Sequence, residues 1–436
     1  MPARFINLGR QTPMFLPCDR REWISDDHLV HFIVDAVEPL PLGHFHVNPR
    51  GPGSEQYPPA MRLALLIYCY ATGRFGSRTM EAATCSDGAV RDPCANTHPD
   101  HDSICPFRAN HETAFRAAFA RVLPLARELR RAKLGGGVDG PKIQANARQH
   151  AAVSDARAGG LIAQLEREVG QFMERAQPAD APEGREALDI AVELKRRESR
   201  KAARQKARQV IEERAKEAAA AQQAEYPAKV AARPQQRAAG KKPRGQEPPP
   251  PRAEPDPKAQ CNFTDPESRI MKAGNGQHFQ QAYNAPAAVD GATLIAGQRA
   301  RDAPNDKEEL APSAAAAAEQ KEDGTPSGLT VYAAVEKHSH HQTVEDLLPR
   351  AEPAAPGPEA GAQEKTAHRL KTAAGQALYK LRKQTVEPAF GIIQEVMGFR
   401  RFLLRGRRKG SLEWTLVCLS YNLQRLFGLN KLARAG

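Results

Sequence analysis

Apolar residues recur three and four positions apart throughout residues 1–131, a spacing that places them on one face of a helix. The pattern predicts helices over 23–37, 60–72, 77–83 and 112–131. The second of these is expected to stop at Gly73, because glycine adopts the left-handed backbone that ends many helices. We therefore predict an all-helical first domain over residues 1–131.

Residues 156–224 are rich in Ala, Glu, Arg, Lys and Gln and carry two apolar stripes at helical spacing. Prolines and a glycine interrupt the pattern at 178–184, which indicates an antiparallel helical hairpin, and a proline-rich linker is expected over 232–258. The dense charge is typical of a solvated face, with contact to DNA as the alternative. The predicted boundaries are 132–155 and 259–436 for a second domain and 156–258 for a helical-hairpin insertion within it.

Short strand patterns flank this insertion. Asp139 follows one of them, although the three glycines before Val138 weaken it, because glycine offers no side chain to pack. Residues 280–290 and 293–296 predict a β-hairpin that turns at Asp290, and 329–335 predict a further strand. Strands that precede helices indicate an α/β domain.

A basic helical pattern begins at Tyr379, and within it Lys383 and Glu387 stand at i and i+4. Pro388 lacks a backbone donor, so the helix is expected to kink or restart there. Glu387 then has two interpretations: a surface ion pair, or an acid that the break aims at a functional site. The apolar face that follows consists of Phe390, Ile393, Val396 and Met397.

Basic residues alternate with apolar ones beyond this helix, a pattern that places a basic edge on DNA and an apolar edge on the core. The basic positions are Arg400, Arg401, Arg405, Arg407, Arg408 and Lys409. The whole chain of 436 residues has a net charge of +12 and a pI near 9.4. A basic protein suits a polyanionic partner, because contacts to phosphates release counterions.

The remaining composition narrows the class of protein. Hydrophobic residues make up 41% of the chain, enough to bury a core, and seven cysteines without a CxxC pair indicate reduced thiols in a cytoplasmic protein. His98 and His101 are better explained by a helix cap and loop hydrogen bonds than by zinc binding. No apolar run approaches the roughly 18 residues that span a membrane, and no signal peptide is predicted.

Several blocks resemble a known family. The carboxyl-terminal ones are Val386-Glu387-Pro388 with Phe390-Gly391, residues 398–406, and residues 414–422. They look like the signature of bacterial insertion-sequence DDE transposases, and are closest to insertion sequence group eleven-eighty-two. The block around Asp139, with Lys142, Ala145 and Asn146, resembles the family's first catalytic block, and residues 261–272 match another family block.

The resemblance implies an RNase H-like catalytic domain, interrupted by the hairpin and preceded by an all-α domain that helps bind the element's ends. It implies that Asp139 and Glu387 are catalytic carboxylates and ligands of a two-metal Mg²⁺ or Mn²⁺ site. Arg382 and Lys383 are candidates for steadying phosphates, together with the basic positions named above. The implied partner is double-stranded DNA, at the terminal repeats and the target. The protein is expected to act as a homo-oligomer on DNA, in the cytoplasm or on the nucleoid. No association with a membrane is expected.

The sequence departs from the family in two places. Aligning His338-Ser339 with the family's block puts Ala334 where the second catalytic aspartate belongs, while Asp323 and Asp346 lie off that strand. Gln394 stands where the family usually has a lysine, which should weaken a phosphate contact. Two hypotheses follow: an active transposase, or a decayed or repurposed transposase that only binds DNA.

Overall fold

A computed structural model of the protein describes residues 24–40, 42–45, 56–129, 136–148, 151–175, 185–238, 250–272, 278–302, 355–357 and 362–435. These residues form a mixed α/β structure with helices and small antiparallel sheets. The predicted strand at 329–335, including Ala334, lies outside the described residues, as do Asp323 and Asp346.

Helices bracket the strands along the chain. The helices are α1 (Leu29–Val37), α2 (Pro59–Ala71), α3 (Ser77–Ser86), α4 (Gly88–Arg91), α5 (His101–Asn110), α6 (Glu112–Glu128), α7 (Asp155–Arg175), α8 (Arg185–Ala238), α9 (Ala362–Lys371), α10 (Ala373–Gly391) and α11 (Arg407–Ala435). The strands are β1 (Gly136–Asp139), β2 (Lys142–Gln144), β3 (Ala152–Ser154), β4 (Gln260–Asn262), β5 (Arg269–Lys272), β6 (Phe279–Asn284), β7 (Ala287–Asp290) and β8 (Ile295–Gln298).

Helices α1, α2, α3 and α6 correspond to the four predicted helices with shifts at their ends, whereas α4 and α5 were not predicted. Helix α1 begins later than predicted, because His28 caps it by accepting the Val30 N–H at 3.2 Å. Helix α2 ends as predicted before Gly73, whose φ of +79° is the left-handed conformation that favours glycine.

The strands pair in antiparallel order β1-β7-β8, β2-β6-β5 and β3-β4. Only Gly140 and Pro141 separate β1 from β2, and a similarly short connection joins β6 to β7. The continuous segments β1–β2 and β6–β7 are therefore two bent strands that run beside each other. The predicted hairpin is confirmed: β7 turns into β8 at Asp290, whose Oδ1 accepts the backbone N–H groups of Ala292 and Leu294 at 2.8 and 2.7 Å.

One hydrophobic core joins the amino-terminal helices to the carboxyl-terminal helix and the sheet. Helix α11 lies at its centre and packs against α6, α2, α1 and β8, with Trp414 fully buried. Asn422 fastens α11 to the sheet, because its side chain accepts the Ile295 N–H and donates to the Ile295 carbonyl, both at 2.8 Å. No helix in the described ranges is long and apolar enough to cross a membrane.

Helices α7 and α8 form the predicted antiparallel hairpin. Ion pairs cross between them, from Arg197 to Glu168 at 3.1 Å and from Lys201 to Glu166 at 2.9 Å. Helix α8 continues through Pro227 and Pro234 to Ala238, so the prediction that the linker starts at 232 is wrong. Proline removes one helical hydrogen bond at each site without ending this helix.

Among the hairpin residues whose burial is described, the buried ones lie in the half nearer its base. Ala207 and Ile211 pack on Cys261 and the partly buried Phe263, which belong to the block that follows the insertion. Farther out, Met173 and Val192 are 55% and 65% exposed. The outer hairpin therefore contributes little to the core, whereas its base covers the chain beside β4.

We predict that the outer hairpin is dispensable for folding. Replacing residues 167–200 with a short glycine-rich linker rejoins the helices where Glu166 and Lys201 already meet, and should shift the melting temperature by less than about 3 °C. Removing all of 157–258 also uncovers Cys261, and should lower the free energy of unfolding by about 2–5 kcal/mol. Thermal unfolding of both deletions measures this. Loss of a cooperative transition in the shorter deletion would contradict the prediction.

Candidate active site and nucleic-acid interface

Asp139 ends strand β1, opposite Ala287 of β7. Its side chain is half-buried, and its Oδ1 accepts the N–H of Gly140 at 2.9 Å. The glycines in β1 do not prevent the strand from forming, since it pairs with β7 on one edge and helix α10 packs against it. Glycine in a strand suits a place where another element approaches closely.

Glu387 lies on α10, the helix that packs against β1 and β7. Val386, Ala389 and Phe390 form the buried side of this helix, whereas Glu387 is exposed. The structure thus makes neighbours of the two elements that carry Asp139 and Glu387, which are far apart in sequence. Arg382 and Lys383 also belong to α10, but their side chains lie outside the described part.

The irregularity expected at Pro388 occurs later. Helix α10 runs through Pro388 to Gly391 and passes into a π-helical turn, Ile392–Val396, in which the Met397 N–H donates to the Ile392 carbonyl at 2.8 Å. The helix therefore does not restart at Pro388. The wider turn also moves Val396 out of the apolar face, and it is 71% exposed.

The donor set around Asp139 and Glu387 fits a hard divalent ion in kind, because carboxylate oxygens are the ligands that Mg²⁺ prefers. In the described ranges, however, no group of three or more His, Cys, Asp or Glu side chains could hold a metal ion. The two named acids do not complete the three-carboxylate set that the resemblance implies. Ala334, at the position implied for the remaining carboxylate, lies outside the described residues.

Residues 398–409, which we call the arginine segment, run alongside β2. The Gln144 N–H donates to the Arg400 carbonyl at 3.2 Å, and the Phe402 N–H donates to the Gln144 carbonyl at 2.8 Å. The side chain of Asn146, just after β2, donates to the Leu403 carbonyl at 2.5 Å. The segment is therefore fixed to the strand that follows Asp139.

The basic side chains of the arginine segment are all exposed, in agreement with the predicted basic edge. Phe399 and Phe402 are fully buried beneath them, with ring centroids 5.5 Å apart. Gln394 is half-buried, and its carbonyl accepts the Arg400 Nε–H at 3.2 Å.

The block at 261–272 also holds the arginine segment. Asp265 is buried, accepting the Tyr283 hydroxyl at 2.8 Å and the Gly406 N–H at 3.2 Å, and its burial raises the pKa of the carboxyl. Glu267 accepts the Arg407 N–H at 2.8 Å. Asp265 opens a turn, since the Ser268 N–H donates to its carbonyl at 3.2 Å.

A buried acid that the sequence analysis did not single out fixes the same segment. Glu413 is fully buried on α11, and its Oε2 accepts the N–H groups of Leu403 and Leu404, each at 2.9 Å. Its Oε1 accepts the Tyr70 hydroxyl at 2.8 Å, and Tyr70 accepts from Arg108 at 3.3 Å. Burial raises the pKa of Glu413, and the positive charge of Arg108 opposes that shift. The sequence signal that could have pointed to Glu413 is an acid inside the mostly apolar run 412–419.

The histidines considered as metal ligands contact helix α3 instead. His101 Nδ1 lies 2.8 Å from Glu81 Oε2, and His98 Nδ1 lies 3.2 Å from the Thr84 hydroxyl. The side-chain cap of α5 is Asp100, which accepts the Ser103 N–H at 2.6 Å, rather than a histidine.

Residues 357–427 match the family model described as a transposase DDE domain. The match covers less than half of the chain and includes Glu387 and the whole arginine segment. Comparisons with curated proteins and with solved structures returned no match. The family match supports a DDE transposase, a member of a class of enzymes that bind, cleave and transfer DNA.

We predict that Glu413 is essential to stability. Glu413→Ala leaves Arg108 without its buried counter-charge and should lower the free energy of unfolding by about 3–5 kcal/mol. Tyr70→Phe removes a single hydroxyl and should lower it by about 0.5–1.5 kcal/mol. Denaturant unfolding compares the two variants with the wild-type chain. A Glu413→Ala value within about 1 kcal/mol of wild type would refute this role.

Proposed function

We propose that the protein is the transposase of a bacterial insertion sequence, related to group eleven-eighty-two. In this proposal it binds the double-stranded terminal repeats of its element and catalyses metal-dependent strand cleavage and transfer into target DNA. The catalytic domain is RNase H-like, interrupted by the α7–α8 hairpin. The protein acts as a homo-oligomer on DNA, in the cytoplasm and on the nucleoid.

The observation that carries this proposal is the packing of α10 on β1. Two carboxylates that the motifs nominate independently, Asp139 and Glu387, stand on elements in direct contact although the long hairpin separates them in sequence. Only Glu387 falls within the matched range 357–427. The contact between these elements therefore supports a single site to which Asp139 and Glu387 both contribute.

The roles of the chain's own residues follow from this arrangement. Asp139 and Glu387 would hold divalent ions, which when bound activate the attacking oxygen and stabilise the leaving one. The arginine segment supplies positive charge beside β2, so it would hold the DNA backbone next to that site. Arg382 and Lys383 precede Glu387 by about one turn and would add contacts to phosphates.

A strand-cleavage assay tests the assignment of the two carboxylates. With Mg²⁺ or Mn²⁺ and duplexes that carry the element's own terminal repeats, Asp139→Asn and Glu387→Gln should each lower cleavage by at least about 100-fold. Glu395→Gln is the matched control: Glu395 is an exposed acid in the π-helical turn, paired with Arg400, and its loss should change cleavage by no more than about twofold.

Folding is checked in the same samples. Glu387 is exposed, so Glu387→Gln should leave the free energy of unfolding within about 0.5 kcal/mol of wild type. If the wild-type chain cleaves and both active-site variants cleave equally well, Asp139 and Glu387 are not the catalytic pair.

Ala334 favours a second candidate, a DNA-binding protein without catalysis. On the alignment through His338 it occupies the position of the second catalytic aspartate, and alanine provides no metal ligand. DNA binding would persist, because it depends on the arginine segment rather than on the acids.

Comparing the wild-type chain with Ala334→Asp distinguishes these two functions. For the DNA-binding candidate, we expect wild type to bind duplex DNA without measurable Mg²⁺-dependent cleavage, and Ala334→Asp to gain cleavage. Efficient cleavage by wild type would reject that candidate and assign the role of second ligand to another acid, with Asp323 and Asp346 the first to be tested.

A further inference from the structure

The basic side chains of the arginine segment differ in the partners that they contact within the protein. Arg400 pairs with the carboxylate of Glu395, and the Arg408 Nε lies 2.8 Å from Glu112 Oε2. Arg407 Nη1 lies 3.7 Å from Asp302 Oδ1. These three cations therefore have carboxylate partners before any DNA arrives.

Arg401 and Arg405 are held differently, by neutral oxygens. Arg401 Nη2 donates to the side-chain oxygen of Asn146 at 3.1 Å, and Arg405 Nε donates to the backbone carbonyl of Asn146 at 3.2 Å. Within the described part of the chain neither arginine forms an ion pair. Both guanidinium groups thus converge on one residue and keep their full charge.

Three acids contact the arginine segment through its main chain. Glu413, Asp265 and Glu267 all direct carboxylate oxygens to backbone N–H groups of the arginine segment. Asn146 itself is fixed, since its amide donates to the Leu403 carbonyl at 2.5 Å. The segment is therefore anchored by acids through its main chain, while its side chains remain available.

We propose that Arg401 and Arg405 form the principal DNA-phosphate site of this interface and that Asn146 is the residue that positions them. The inference rests on the proposed function. A guanidinium held along one edge by a neutral acceptor offers its remaining N–H donors to phosphate oxygens, and little conformational freedom is left to lose. Arg400 and Arg408 contribute less, because each must share or release a carboxylate to bind a phosphate.

The test compares variants that remove the same charge. Binding of a fluorescein-labelled duplex of arbitrary sequence is measured by anisotropy between about 50 and 200 mM salt. Arg401→Gln and Arg405→Gln should each reduce the magnitude of the negative slope of log K against log salt by about 0.9, and this magnitude is called the salt slope below. Each should also weaken binding by roughly five- to tenfold at about 100 mM salt. Arg400→Gln and Arg408→Gln should change the slope by less than about 0.3.

Asn146 variants separate positioning from a merely structural role. Asn146→Ala removes no charge, yet should lower the salt slope by releasing Arg401. Asn146→Asp places a carboxylate against Arg401 and should weaken binding further than Asn146→Ala does. A purely structural role would lower the melting temperature and leave the salt slope unchanged. If Asn146→Ala fails to fold, the arginine comparison still decides the proposal.

The outcomes distinguish this inference from the proposed function. If wild type binds DNA and Arg400→Gln or Arg408→Gln lowers the slope as much as Arg401→Gln does, the phosphate site is wrongly assigned while a DNA-binding function stands. If wild type shows no salt-dependent binding to duplex DNA, the proposed function and this inference both fail.

Discussion

The carboxylate of Glu413 is the contact on which the arrangement of this protein depends. Buried on α11, it accepts hydrogen bonds from Tyr70 of α2 and from the backbone of Leu403 and Leu404. Arg108 of α5 supplies the compensating charge through Tyr70. A buried carboxyl group and a buried guanidinium are tolerated only when their polar atoms are hydrogen-bonded and any charge is balanced, so these elements must be assembled together. The amino-terminal helices thereby help to shape the arginine segment.

The same logic explains why a strongly basic segment has a defined path. Six cationic side chains within ten residues repel one another. Ion pairs of exposed side chains are too weak to fix the conformation of the backbone on their own. Here three acids from two parts of the chain, Glu413 of α11 and Asp265 and Glu267 of the block at 261–272, bind main-chain N–H groups. Gly406 makes the last of these contacts possible: its φ is +85°, and a Cβ there would lie 2.9 Å from Glu267 Oε2.

The sequence predicted the elements whose signals are local. The helix that ends at Gly73, the β-hairpin at Asp290 and the pairing of α7 with α8 each follow from spacing and turn chemistry, and the structure contains them. The π-helical turn after Gly391 was not predictable, because a hydrogen bond between residues five apart leaves no mark on a pattern of period 3.6. Glu413 was missed for another reason: its partners come from long-range packing, although an acid within an apolar run was a visible anomaly.

The π-helical turn also links the helix of Glu387 to the amino-terminal helices. A Cβ on Gly73 would lie 2.9 Å from the Met397 carbonyl, and the rings of Phe75 and Phe399 meet edge to face at 5.3 Å. The residues that follow α2 and the family-like block that follows α10 are therefore parts of a single contact. The close fit requires glycine on one side and the widened turn on the other. The helix that carries Glu387 thus packs on β1 and leads, through the π-helical turn, into a contact with the residues after α2.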